Sequence, residues 1–271
     1  MVMSMKILVT GATGNIGRMV VDELLALGAT DVRALTVNPA KAALPPPVEV
    51  VRGYLGRPET LPRAFEGVDR MYLAPLVETV FEAGRLAAAA GVGHIVDLAG
   101  AKGEHWQAVE DGVEASGVPW THLEAGEFMS NAGLWAPQII AGDVVRDGYG
   151  EAANAPIAME DIAAVAARIL MDGGHHGVAY ELTGPQSLTR RERVRLIGEA
   201  LGRALTYVDL PHDQAVAQFE PAMGEFGAWY VDGLAQLVEH PQLAVRTVAE
   251  ITGRPGMTFA QWSRRYAAMF R

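Results

Sequence analysis

The first half of the chain alternates short apolar runs with stretches whose apolar residues recur at helical spacing. An apolar run over 6–10 leads into a glycine-rich turn over 11–17. A helical stretch over 18–27 follows, with Val20, Val21, Leu24 and Leu25 apolar and Gly28 closing it. Further strands are predicted over 32–37, 48–52, 70–74, 94–99 and 119–124, with helices over 58–65, 77–90 and 104–116. Strands alternating with helices predict an α/β fold built on a doubly wound parallel sheet, covered on both faces.

After about residue 140 the pattern changes. A helix is predicted over 159–171, a strand over 179–183, and a helix over 189–201. Thr189 and Glu192 have the spacing of a capping box, and Gly202 is the stop. The last predicted helix, 258–270, carries Phe259, Trp262 and Tyr266 on one side. No repeat or long linker interrupts the sequence. The expected division is a first domain over 1–150 and a smaller mixed, helix-rich lobe over 151–271 packed on it, with an interleaved boundary.

The chain has 271 residues, 50% hydrophobic and 20% charged, which excludes a mainly disordered protein and leaves room for a buried small-molecule site. It has no cysteine, so disulfides, thiolate metal sites and a cysteine nucleophile are excluded. A formal charge of −10 argues against nucleic acid as a partner. The only lysines are Lys6, Lys41 and Lys102. No window approaches the roughly eighteen unbroken apolar residues of a membrane span. The start shows no signal-peptide layout, so the expected location is cytoplasmic, as a monomer or homodimer.

The turn reads Gly11-Ala-Thr-Gly14-Asn-Ile-Gly17. Gly11 permits the sharp exit from the strand, Gly14 lets the backbone approach a pyrophosphate, and Gly17 lets helix and strand pack closely. Free N–H groups at the helix start attract phosphate. Set between an apolar strand and an amphipathic helix, the motif points to a dinucleotide-binding Rossmann domain.

The whole chain resembles a known family. The glycine spacing is similar to that of atypical and extended short-chain dehydrogenases/reductases. The segment His105-Trp-Gln-Ala-Val-Glu110, the run from Glu114 through Pro119-Trp120-Thr121 to Phe128-Met-Ser-Asn131, the stretch Tyr180-Glu-Leu-Thr-Gly-Pro-Gln-Ser-Leu-Thr189 and the C-terminal Thr252-Gly-Arg-Pro255 resemble its NmrA-like branch. The resemblance implies an NAD(P)-dependent oxidoreductase acting on a small, mostly apolar carbonyl, quinone or enone compound. It also admits a redox sensor without turnover.

The expected cofactor-binding residues are Gly11, Thr13, Gly14, Asn15, Ile16 and Gly17 in the turn and Thr36, Asn38 and Lys41 after the second strand. Tyr54 follows the third, Ala74 and Pro75 the fourth, and Ala99 and Gly100 the fifth. Three of the family's positions are replaced. Val37 stands where relatives more often carry an arginine facing the 2′-phosphate of NADP. Tyr54 replaces an aspartate that reaches the adenine, and Leu123-Glu124-Ala125-Gly126 replaces Leu-Arg-Pro-Gly. The choice between NADP and NAD therefore stays open, as does loss of the cofactor role. A redox-neutral isomerase or cyclase is the alternative that these replacements motivate.

No tyrosine has a lysine four residues later, so the short-chain dehydrogenase proton donor is missing. Ligands of open α/β sheets sit beyond the carboxyl ends of the strands. The acid/base candidates there are Asp97, Lys102, His105 and Glu124. Trp106, His122, Phe128, Met129 and Trp135 are the expected substrate-side residues. His175 and His176 lie in a glycine-flanked turn that specifies no third metal ligand, so no metal is expected. Arg190, Arg191, Arg193 and Arg195 are expected on a solvated helix face.

Overall fold

The computed structural model describes residues 5–100, 106–224 and 226–271. The chain divides into two compact units that interleave in sequence. The first comprises 1–126, 159–182 and 247–254; the second comprises 127–158, 183–246 and 255–271.

The first unit is built on a seven-stranded sheet in which every neighbouring pair is parallel. Its strands are β1 (Lys6–Val9), β2 (Asp31–Thr36), β3 (Glu49–Arg52), β4 (Arg70–Leu73), β5 (His94–Ala99), β6 (Trp120–Ala125) and, at the edge, the strand Val178–Leu182. The spatial order is β3-β2-β1-β4-β5-β6 followed by that edge strand. The winding reverses at β1, which is where such sheets open a crevice at their carboxyl ends.

Successive strand residues face opposite sides. On one side Leu8, Leu35, Met71, Leu73 and Ile95 pack with Phe65 of α2 (Pro62–Phe65), Val80 and Ala83 of α3 (Val80–Ala89), and Val109 and Val113 of α4 (Gln107–Glu114). The other side is covered by α1 (Asn15–Ala26) and the helix Met159–Asp172, which pack on each other. Burying both faces of the central strands explains their nearly unbroken apolar runs. Arg33, on β2, bonds the Glu49 carboxylate at 2.8 Å and the carbonyls of Ala64 and Glu66, so it pins the β3 edge.

In the second unit the strand Val144–Gly148 pairs in parallel with Thr206–Leu210, and Ala153–Asn154 pairs antiparallel with Leu188–Thr189. The helix Arg190–Leu201 has the predicted reciprocal capping box at Thr189 and Glu192, and it ends at left-handed Gly202. The predicted final helix is shorter: Phe259–Arg265 is α-helical and Ala267–Phe270 a tight turn.

The basic face on the helix Arg190–Leu201 differs from expectation. Arg190 and Arg193 are buried. Arg190 is bound to Asp147, with its guanidinium 5.1 Å over the Trp135 ring, and Arg193 meets Glu127 at 2.9 Å. A buried carboxylate needs a buried cation, and these two arginines supply it. Only Arg191 and Arg195 lie on the solvated side, paired with Glu151, Asp209 and Glu199.

Candidate active site

The glycine turn is built as its spacing requires. Gly11 sits at φ +59, and a Cβ there would lie 3.0 Å from Ala74 Cβ. A Cβ on Gly17 would lie 2.2 Å from the Gly11 carbonyl oxygen, so the start of α1 rests directly on the strand exit. Thr10 ties the ends of β1 and β4 together: its hydroxyl donates to Tyr72 O and accepts from the Ala74 N–H at 2.8 Å. Gly14 is the N-cap of α1 and brings no side-chain cap, and no acid occupies the first turn. The leading N–H groups are thus left for an external acceptor, with the helix dipole behind them.

This turn opens on a cleft of about 340 Å³ at the carboxyl ends of β1 to β4. Of the expected cofactor residues, Gly11, Thr13, Thr36, Tyr54, Ala74 and Pro75 line it. The Thr13 and Thr36 hydroxyls lie 3.2 Å apart and tie the turn to the end of β2. Tyr54 stands half-exposed, with its ring against Gly56. Val37 is 58% exposed, an apolar side chain on the wall of the cleft. Leu35, Gly53, Leu55 and Leu76 also line the cleft and were not singled out from sequence. They belong to the apolar strand-end pattern, which by itself does not separate core from cleft. Asn15 and Ile16 lie in the first turn of α1, while Asn38 precedes and Lys41 ends the short helix Pro39–Lys41. Ala99 ends β5, buried, with Gly100 next to it.

The fit to an adenine dinucleotide is geometric. A cradle that a Cβ at Gly17 would fill, an uncapped helix start and an adjoining cleft suit a pyrophosphate with its adenosine.

Further along the sheet, β5 and β6 bring Asp97 opposite His122. Asp97 Oδ2 and His122 Nδ1 are 2.6 Å apart, both buried. His122 Nε2 lies 3.4 Å from Glu114 of α4, and Trp120 stacks on the imidazole at 3.9 Å. Burial pushes the Asp97 carboxyl up, only partly offset by His122. Burial works against a charged His122, but the Asp97 hydrogen bond and charge, helped by Glu110 and Glu114, outweigh it and hold the imidazole above its ordinary value. Burial likewise raises the Glu110 carboxyl.

Glu124 comes two residues after His122, at the carboxyl end of β6. It is half-buried, and its carboxylate makes no hydrogen bond to a described residue. His122 is therefore not its partner. Trp106 is partly exposed with its ring against Gly100. Lys102 and His105 lie outside the described residues.

Several expected residues are placed differently. Asp97 and His122 are fully enclosed, so they face each other rather than a ligand. Met129 and Trp135 are in the core of the second unit, where the Trp135 indole N–H donates to Asp147. Large apolar side chains there serve packing, not a pocket wall. Phe128, also in that unit, is half-buried. Among the described residues no group of three or more histidines and acids is placed to hold a metal ion. No described helix is long and apolar enough to cross a membrane.

A parallel sheet reversing at β1, with a Gly-x-x-Gly-x-x-Gly exit and an uncapped α1 above an open cleft, defines a Rossmann-type nucleotide-binding protein. Within that class the chain belongs to the NmrA-like family, which it matches over residues 3–229. It is 38% identical to a (4-alkanoyl-5-oxo-2,5-dihydrofuran-3-yl)methyl phosphate reductase of Streptomyces griseus, with 97% of this chain and 99% of that protein covered. It is 35% identical to an NAD(P)H azoreductase of Xenophilus azovorans, over 97% of this chain and 99% of that one. An NADPH-dependent quinone oxidoreductase of Escherichia coli, solved with NADPH, shares the fold at a TM-score of 0.85 and 23% identity, covering 96% and 99%.

Proposed function

We propose that this protein is an NAD(P)H-dependent reductase of a small, mostly apolar compound carrying a carbonyl, quinone or enone group. The observation that carries the reading is the uncapped start of α1 above the glycine cradle, opening on the 340 Å³ cleft. Backbone N–H groups at 15–17 hold the phosphates, the Gly14 N–H being taken by the Gly11 carbonyl; Thr36 and Asn38 hold the ribose, and Tyr54 and Leu55 wall the adenine side. When bound, the nicotinamide supplies the hydride; the protein supplies orientation and electrostatics.

The relative at 38% identity is named for an alkanoyl dihydrofuranone phosphate. This supports a double bond conjugated to a carbonyl as the reducible group. Such a reduction also takes up one proton. Glu124, Lys102 and His105 are the candidate proton carriers, with water as the remaining source.

The test is loss of reduced nicotinamide absorbance on addition of quinones, azo dyes and acyl butenolides. Turnover that consumes reduced cofactor is expected with at least one class. Product formed with no cofactor present would replace the reading by a redox-neutral reaction. Glu124→Ala and His105→Ala should each slow turnover by orders of magnitude, and near-wild-type rates in both would end the acid/base assignment.

A further inference from the structure

The end of β2 lacks the arginine that relatives use, yet it is not short of positive charge. Thr36 and Arg52 are paired positions at the carboxyl ends of β2 and β3, on strands about 4.8 Å apart. Arg33 and Glu49, three residues earlier in each strand, bind each other on one face. Alternation therefore sends Thr36 and Arg52 to the opposite face, where the Thr36 hydroxyl meets Thr13 of the glycine turn. The Arg52 side chain is exposed and makes no hydrogen bond or ion pair among the described residues.

The neighbouring cations are mostly engaged. Arg33 is held by Glu49, Lys6 by Asp31 and Glu49, and Arg18 by Asp22 and the Ala43 carbonyl. Two are not: Arg57, in the turn after β3 beside Tyr54, and Lys41, which closes the helix Pro39–Lys41; both are exposed, with no side-chain partner among the described residues. Of these uncommitted cations, two flank the end of β2: Arg52 on the adjacent strand and Lys41 in the turn that follows. The stretch from Val32 to Val48 contains no Asp or Glu. The carboxylate that would bind both ribose hydroxyls of NAD is absent. In a chain of net charge −10, these cations beside an acid-free stretch make a locally positive site suited to an anion.

We propose that Arg52, carried on β3, and Lys41 together bind the 2′-phosphate of NADP(H), so that the protein selects it over NAD(H) without an arginine at position 37. The assignment rests on the dinucleotide reading above. A guanidinium offers a fork of donors matched to phosphate oxygens, and an ammonium adds a second charge.

The test uses cofactor fragments that carry no nicotinamide. The full chain is titrated calorimetrically with adenosine 2′,5′-bisphosphate and with adenosine 5′-monophosphate, which differ only in the 2′-phosphate. The wild type should bind the bisphosphate at least about tenfold more tightly, roughly 1.4 kcal/mol. Arg52→Gln should lose most of that preference while binding the monophosphate within about twofold of wild type; Arg52→Lys should keep part of it. Thermal melts of both variants establish that they fold. An unchanged ratio in Arg52→Gln overturns the assignment and leaves the dinucleotide reading intact, as does a wild type that binds both fragments equally. A wild type that binds neither fragment nor NADPH overturns both.

Discussion

At the scale of single residues, the site depends on one backbone contact that tolerates nothing larger than hydrogen. Because a Cβ on Gly17 would lie 2.2 Å from the Gly11 carbonyl, Gly17→Ala forces the start of α1 away from the strand. Overpacking of this kind costs about 1–3 kcal/mol. Urea melts should show that loss, and calorimetry should show dinucleotide binding weakened with it; an unchanged pair of values would remove the cradle argument. A second residue-scale expectation concerns His122. Its folded pKa is raised, so its contribution to stability is full below the free value of 6.5 and is lost as pH rises through the folded pKa. Its ring resonances should titrate above 6.5 in the wild type and fall in Asp97→Asn; identical midpoints would show that Asp97 does not hold the proton there. His94 runs the other way: burial, with His176 and Arg70 nearby, pushes it down to about 4, so it costs stability as pH falls below 6.5. The glycine turn was legible in sequence because its chemistry lies within seven consecutive residues. The Asp97–His122–Glu114 set was not, because it is assembled by strand register and by a helix between the two strands.

At the scale of elements, the strands and helices of the first unit follow the hydrophobic pattern closely, since each has one face that must be buried. The second unit is less legible. Its strands Val144–Gly148 and Thr206–Leu210 are five residues each and pair across some sixty positions, so neither carries a local signature. The burial of Arg190 and Arg193 is likewise decided by Asp147 and Glu127, far away in sequence. Where a signal is local it is reliable: the capping box at Thr189 is present in both directions. Thr189→Ala leaves the Glu192 N–H without its acceptor and should cost about 1 kcal/mol in chemical denaturation. A loss near zero would mean that tertiary packing alone holds the helix.

At the scale of the whole molecule, the chain crosses between its two compact units five times. The first unit takes its helix Met159–Asp172, its edge strand Val178–Leu182 and its helix Thr247–Thr252 from beyond residue 150. A fragment ending at residue 150 lacks the cover for the apolar side of α1 and the partner of β6. It should be insoluble or lack a cooperative melt by circular dichroism; a soluble fragment with a sharp transition would show that those pieces are dispensable. The same arrangement has a consequence in time. A ribosome extends the chain by about 5–20 residues each second. The half that carries the glycine turn leaves the tunnel long before its last strand and helices are made. The nascent chain must therefore wait several seconds, about 3–11 at that rate, with an incomplete sheet, and this interval is when a chaperone, or the cofactor itself, has most to protect.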